Sequence, residues 1–248
     1  MAKRRGLALD GVLLLDKPVG LSSNHALQRA KRTVDAAKAG HTGTLDPFAT
    51  GLLLCCMGRA TKISGAMLNA DKTYRATLQF GEETDSGDLT GNVVATATPG
   101  FTVTEQALRD ALSRFSGTIE QIPPMYSALK RDGKPLYEYA RQGIELERPP
   151  RRSRFTASSC CPCPGRRQRS MSHAVKARTS ARWPRTSGAR WCYAHLAALR
   201  RTHVGPFSLD RAVTLDALQA MPDPKQALLA LNELPEGLLP SKTLKDSL

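Results

Sequence analysis

The chain has 248 residues, 41% of them hydrophobic and 23% charged, and a formal net charge of +14. Such a length can bury one large core or two modest ones, and the apolar fraction is ordinary for a globular protein. Asp10 and Asp16 interrupt the apolar stretch behind the basic start Met1–Arg5, and no apolar run approaches the roughly 20 residues that cross a bilayer. A secretion signal and a membrane span are therefore not expected, and the chain reads as cytoplasmic.

In chain order, residues 11–16 form a short apolar run that predicts a buried strand, followed by a turn at Lys17-Pro18. Ser22 or Ser23 can cap a helix reaching about residue 34, with Ala26, Leu27, Ala30 and Val34 on one face. The run Gly40-His41-Thr42-Gly43-Thr44-Leu45-Asp46-Pro47-Phe48-Ala49-Thr50-Gly51 cannot make a long helix or a central strand. Asp46 is its one acidic side chain. An Asp before Pro commonly opens a turn, but a glycine-rich loop also brings backbone close to a ligand, which makes Asp46 the first candidate for chemistry.

Cys55 and Cys56 lie in the apolar run Leu52–Met57 and read as buried, reduced thiols. Tyr74, Ala76, Leu78 and Phe80 alternate as in a half-buried strand. Thr104 can cap a helix carrying Ala107, Leu108, Ala111, Leu112 and Phe115. Arg59, Lys62, Lys130, Arg131 and Lys134 are candidate phosphate contacts, although exposed basic residues are common on any surface. Strands and helices alternate without a βαβ rhythm or a glycine-rich phosphate loop, which predicts an α+β fold with a mixed, largely antiparallel sheet and flanking helices.

Residues 151–191 break the pattern. They hold ten Arg, one Lys and no acid, so the rest of the chain carries only +3 of the +14. They contain no Leu or Ile but both tryptophans, Trp183 and Trp191. Four of the six cysteines, Cys160, Cys161, Cys163 and Cys192, fall in or beside them. Neither period 2 nor period 3.6 is present. A basic arm binding RNA, a metal site and a shifted reading frame are the three readings. Cys160, Cys161 and Cys163 with His173 lack the paired spacing that wraps a tetrahedral ion, so no metal is expected.

The loop around Asp46 closely resembles the active-site loop of the TruB family, which makes pseudouridine in the TΨC loop of tRNA. Four further segments are similar to family segments in the same order: Gly11–Ser22 with Lys17 and Pro18, Asp71–Tyr74, Pro123–Lys130 and Leu199–Phe207. The resemblance implies the pseudouridine synthase fold, with residues 1–215 as catalytic domain. Residues 216–248 then form a short C-terminal tail without room for the extra RNA-binding domain of longer relatives.

The implied reaction isomerises uridine at position 55 of tRNA, with no cofactor and no metal, on the T-arm of tRNA as partner. The expected protein is a monomer. Asp46 is the implied nucleophile, a role suited to a carboxylate ionised at neutral pH. The resemblance makes Tyr74 the residue that stacks on the flipped uracil and places Leu199 in the wall of that pocket. It has His41 displace the target base and Lys17 support the loop. A non-catalytic tRNA-binding or tRNA-folding protein of the same fold, or an inactive frameshifted product, is the alternative.

The family segment expected before Leu199 carries a Tyr beside the target base and an Arg that pairs with the catalytic carboxylate. Neither can be assigned to a residue here. Joining the third base of each codon to the first two of the next, from His173 to Arg190, permits the family sequence C-S-K-G-T-Y-I-R-T-L-A-E-D-I-G. The Trp183-Pro184 junction then encodes only Ala. Residues from about 153 to 191 accordingly read as a shifted frame, opened near 152–155 and closed near 191–192, and are expected to be disordered or misfolded.

Overall fold

The computed structural model describes residues 6–104, 106, 109–110, 117–123, 125, 127, 129–162, 168–176 and 193–238; for 117–119, 121, 137, 151–162 and 168–176 only the backbone is described. The predicted helix after Thr104 falls largely on residues outside this set, including Ala107, Leu108, Ala111, Leu112 and Phe115. So do Cys163, Trp183, Trp191 and Cys192.

In chain order the elements are β1 (Gly11–Lys17), α1 (Ser23–Thr33), β2 (Ala39–Thr42), β3 (Thr50–Met57), α2 (Ser64–Asn69) and β4 (Lys72–Phe80). Then come β5 (Glu82–Thr84), β6 (Val93–Thr96), β7 (Gly117–Gln121), β8 (Lys130–Arg131), β9 (Lys134–Pro135) and α3 (Leu136–Arg141). The last are β10 (Arg151–Pro162), β11 (Gln168–Lys176), β12 (Ala194–Val204), β13 (Phe207–Ser208), β14 (Val213–Thr214), α4 (Leu215–Ala220) and β15 (Leu228–Leu229). Most pairings are antiparallel; β1 with β14 and β3 with β12 are parallel. The fold is thus the mixed α+β arrangement expected from the sequence.

The chain divides into two compact units, Met1–Tyr74 with Arg200–Leu248, and Arg75–Leu199. In the first, β1 and β3 pair in register from Gly11↔Met57 to Lys17↔Gly51. Both are central, and apolar side chains leave them on both faces. Val12, Leu14, Leu52, Leu54 and Cys56 pack with Ile63, Met67, Val204 and Phe207, whereas Leu13, Leu15, Leu53, Cys55 and Met57 pack with Ala26, Leu27 and Ala30 of α1. That two-sided burial is why these strands read as unbroken apolar runs. Cys55 and Cys56 are free and buried, and burial holds Cys56 up at about 12 and Cys55 above the ordinary thiol range.

Helix α1 begins where expected: the Ser22 hydroxyl accepts from the His25 N–H at 3.2 Å. Its buried face is Ala26, Leu27 and Ala30, with Val34 just beyond, and Lys31 and Arg32 oppose the dipole in the last turn. Asp35 then turns the chain with φ 55°, a conformation short polar side chains tolerate.

In the second unit β10 pairs with β7 and β11 on either side, with a register shift between Ala157 and Ser159. This extended backbone covers part of the segment read as frameshifted. Ladder bonds use backbone groups that every non-proline residue carries, so they form whatever side chains are present. The remainder of that segment, 163–167 and 177–191, lies outside the described residues.

Candidate active site

The loop carrying Asp46 leaves β2 and enters β3, and its own sequence anchors it. Leu45, Phe48 and Ala49 are buried, while Asp46 between them stays partly open. The Ala49 N–H donates to the Asp46 carbonyl at 3.0 Å, the turn that the Asp-Pro pair predicts. Ser23, buried at the start of α1, holds the preceding residue from both sides: its hydroxyl accepts from the Leu45 N–H at 2.7 Å and donates to the Leu45 carbonyl at 2.9 Å. On the other side of Asp46, the Pro47 carbonyl accepts from the Gly20 N–H at 2.7 Å.

Lys17 ends β1 with 0% exposure. Its Nζ donates to the carbonyls of Leu21 at 2.7 Å and Pro18 at 2.8 Å, and reaches that of Pro47 at 3.5 Å. It therefore ties the Lys-Pro turn to the loop. Burial lowers its pKa to about 8 against the pull of the Asp46 carboxylate, and Arg201 lowers it further.

Arg201 is the residue the sequence reading missed. It is 1% exposed on β12. Its Nε donates to the Leu52 carbonyl at 2.7 Å and its Nη2 to the Gly43 carbonyl at 3.1 Å. Gly51 makes room for it, and Gly43 borders it. Gly51, at φ +99°, lies so close to the Arg201 backbone that an added Cβ would overlap it. Gly43, at φ +73°, would carry a Cβ 3.4 Å from Lys72 Cε and 3.5 Å from Arg201 Nη1. Both positions favour the left-handed backbone that only glycine adopts freely. The neighbouring Arg200, by contrast, turns toward Asp16 and makes a two-pronged ion pair at 2.7 and 3.0 Å that ties β12 to β1.

Lys72 is a second buried cation. Its Nζ donates to the Met67, Leu68 and Ala70 carbonyls at 3.2, 3.0 and 2.9 Å, closing the end of α2. Burial lowers its pKa to about 8, with Arg201 lowering it further and Asp71 opposing. Tyr74 follows two residues later on β4, hence on the same face, and is buried. His41 lies on β2 opposite Cys55. Burial and then Arg201 lower its pKa, so it is neutral at pH 7. Its Nδ1 and the adjacent Thr42 hydroxyl are buried without a hydrogen-bond partner among the described residues.

Lys17, His41, Asp46 and Tyr74 therefore fall in one unit, joined by Ser23, Thr42, Lys72 and Arg201. Leu199 is buried two residues before Arg201 on β12, on the same face of that strand, and belongs to the second unit. Of the other basic candidates, Arg59 pairs with Asp10 at 2.6 Å. Arg131 donates to the Glu147 carbonyl at 2.9 Å, and the Lys134 ammonium lies 4.9 Å from the centre of the Tyr139 ring. The described residues hold no cluster of His, Cys, Asp or Glu able to bind a metal ion. No described helix is long and apolar enough to cross a membrane.

Residues 31–179 match the model of the TruB family pseudouridylate synthase N-terminal domain. The chain is 76% identical over 245 residues to tRNA pseudouridine synthase B of Bordetella pertussis, covering 97% of this chain and 100% of that protein. It is 52% identical over 237 residues to tRNA pseudouridine synthase B of Aromatoleum aromaticum, covering 94% of this chain and 75% of that one. Among solved structures, a chain of a Cbf5-Nop10-Gar1 complex superposes with a TM-score of 0.64 at 24% identity over 90% of this chain and 60% of its own. A chain of an archaeal box H/ACA sRNP Nop10-Cbf5 complex gives 0.58 at 27% identity over 86% of this chain and 53% of its own. Sequence and fold agree: the chain is an isomerase that belongs to the TruB family of pseudouridylate synthases.

Proposed function

We propose that this chain converts uridine to pseudouridine at position 55, in the TΨC loop of tRNA, with Asp46 as the nucleophile. The observation that carries the reading is the way Asp46 is held. The residues before and after it are fixed by Ser23, Gly20 and buried Lys17, while its own side chain stays partly open between buried Leu45 and Phe48. Reactions that need a group placed to within a fraction of an ångström gain most from such preorganisation.

The isomerisation releases the base from C1′ of the ribose, turns it and rejoins it through C5, with the C5 hydrogen leaving as a proton and N1 taking one up. Reactant and product have the same composition, so the reading requires no cofactor. The target base sits inside a folded loop and must be turned out of its stack before Asp46 can act. Tyr74 supplies an aromatic surface for the extruded base and Leu199 an apolar one. Neutral His41 takes the place the base vacates in the loop. Lys17 keeps the loop from yielding as this happens. The partner is the T-arm of tRNA, and the enzyme works on it as a cytoplasmic monomer.

Asp46→Asn tests the reading directly. A tRNA transcript tritiated at uridine C5 should release its label with the frame-restored chain and not with its Asp46→Asn variant, while both bind the transcript within about threefold of each other. Label release by the variant at an undiminished rate overturns the nucleophile assignment.

A further inference from the structure

Each of the two peptide planes that meet at Asp46 is held by a hydrogen bond. A peptide unit is rigid and planar, so a bond to its carbonyl orients the whole plane. The Asp46–Pro47 plane is held at the Asp46 carbonyl, which accepts from the Ala49 N–H at 3.0 Å. Proline has no N–H, so that carbonyl is the one backbone group by which this plane can be gripped. The Leu45–Asp46 plane is held at the Leu45 carbonyl, which accepts from the Ser23 hydroxyl at 2.9 Å. With both planes set, φ and ψ of Asp46 are set too, and the side-chain torsions alone remain to aim the carboxylate.

The first of these bonds is internal to the loop, whereas the second comes from helix α1, 22 residues away in sequence. A hydroxyl carries one donor and two acceptor sites. Ser23 spends both functions on Leu45, accepting from its N–H at 2.7 Å while donating to its carbonyl. One side chain thus does for Leu45 what a paired residue on a neighbouring strand would do, exchanging both bonds with it. Ser23 and Leu45 are each 1% exposed, so water is not at hand to replace either bond. The helix does not need this hydroxyl for its own start, because Ser22 supplies the cap by accepting from the His25 N–H.

We propose that Ser23 is a positioning residue of the isomerisation: buried away from the substrate, it holds the Leu45–Asp46 peptide in the orientation from which the Asp46 carboxylate attacks. The inference rests on the proposed role of Asp46 as nucleophile. Without the hydroxyl, the buried N–H and carbonyl of Leu45 lose their partner and the plane ahead of Asp46 is free to rock. A displacement of about 1 Å at a reacting group costs on the order of a hundredfold in rate. The loss falls on the chemical step and leaves the binding of tRNA unchanged, so it lowers kcat without raising KM.

The test compares Ser23→Ala with Ser22→Ala in the frame-restored chain. Each variant loses one hydroxyl from the first turn of α1, but Ser22→Ala leaves the clamp on Leu45 in place. In single turnover at saturating enzyme, Ser23→Ala should slow label release from tRNA tritiated at uridine C5 by about thirtyfold to a hundredfold, with half-saturation shifted by less than about threefold. Ser22→Ala should keep both quantities within about threefold, although it too is less stable than the parent. Amide exchange supplies a readout independent of activity. The Leu45 N–H should be protected in the parent and that of exposed Thr44 should not, and Ser23→Ala should speed exchange at Leu45 by at least about tenfold more than Ser22→Ala does. A Leu45 amide that exchanges as fast as that of Thr44 in the parent overturns the proposal, even if Ser23→Ala fails to fold. Equal rate losses in the two variants, or a Ser23→Ala rate within about threefold of the parent, also overturn it and leave the proposed function standing. If Asp46→Asn releases label at an undiminished rate, the nucleophile assignment and the role of Ser23 fall together.

Discussion

The unit that holds Asp46 buries two lysines, Lys17 and Lys72. Lys17 and Lys72 both have pKa values lowered to about 8, because burial penalises the ammonium. In the unfolded chain a lysine holds its proton to about 10.4. Between pH 8 and that value the unfolded state therefore binds more protons than the folded one, and stability rises with pH. The buried thiols work in the opposite direction. Cys55 and Cys56 keep their protons when folded, whereas unfolded thiols lose them near 8.5, so their contribution falls over the same window. The two pairs of groups oppose one another over this window. Replacing both cysteines by Ala should uncover the lysines: the denaturation midpoint of Cys55→Ala/Cys56→Ala should rise from pH 8 to pH 10, and that of the unaltered chain should change less. A midpoint that falls with pH in the double variant would mean that burial does not lower the lysine pKa values.

At the scale of elements, the site depends on how closely β12 approaches β3. The two run parallel with Arg200↔Thr50 and Arg201↔Gly51 in register. Gly51→Ala would drive a methyl group into the Arg201 backbone at a left-handed φ. Strain and displacement together should cost at least about 2 kcal/mol, seen as a lower urea midpoint, with a larger loss of activity if β12 shifts away from the loop. An unchanged midpoint would contradict the register. Strand β1, the first turn of α1 and the cap at Ser22 were legible in the sequence because their signals lie within a few residues of one another. The clamp of Ser23 on Leu45 was not, since its partners are 22 residues apart and joined only by packing.

Across the whole molecule, the stretch that departs from its surroundings is 153–191. The frame-shift proposal predicts that resequencing the gene will find one net nucleotide shift near codons 152–155 and its reversal near 191–192. It also predicts that the frame-restored protein will be markedly more soluble on expression, because a strand without alternating apolar positions has no face to bury. An uninterrupted frame encoding the Arg-rich stretch would end that proposal. The net charge of +14 follows the same division, since +3 is all that remains outside residues 151–191.

The sequence alone determined the family, the loop and its single carboxylate, the central strands and the helix cap. These follow from residue order and from local rules of turn geometry, periodicity and capping. Tertiary structure alone decided where the buried charges of the first unit lie. Arg201 lies between Gly43 and Leu52 although about 150 residues separate it from both. Lys72 turns inward to cap a helix, and Arg200, one position from Arg201, turns toward Asp16 instead. Whether an arginine is buried or exposed depends on which carbonyls and carboxylates the folded chain brings within about 3 Å of it, and no local pattern encodes that.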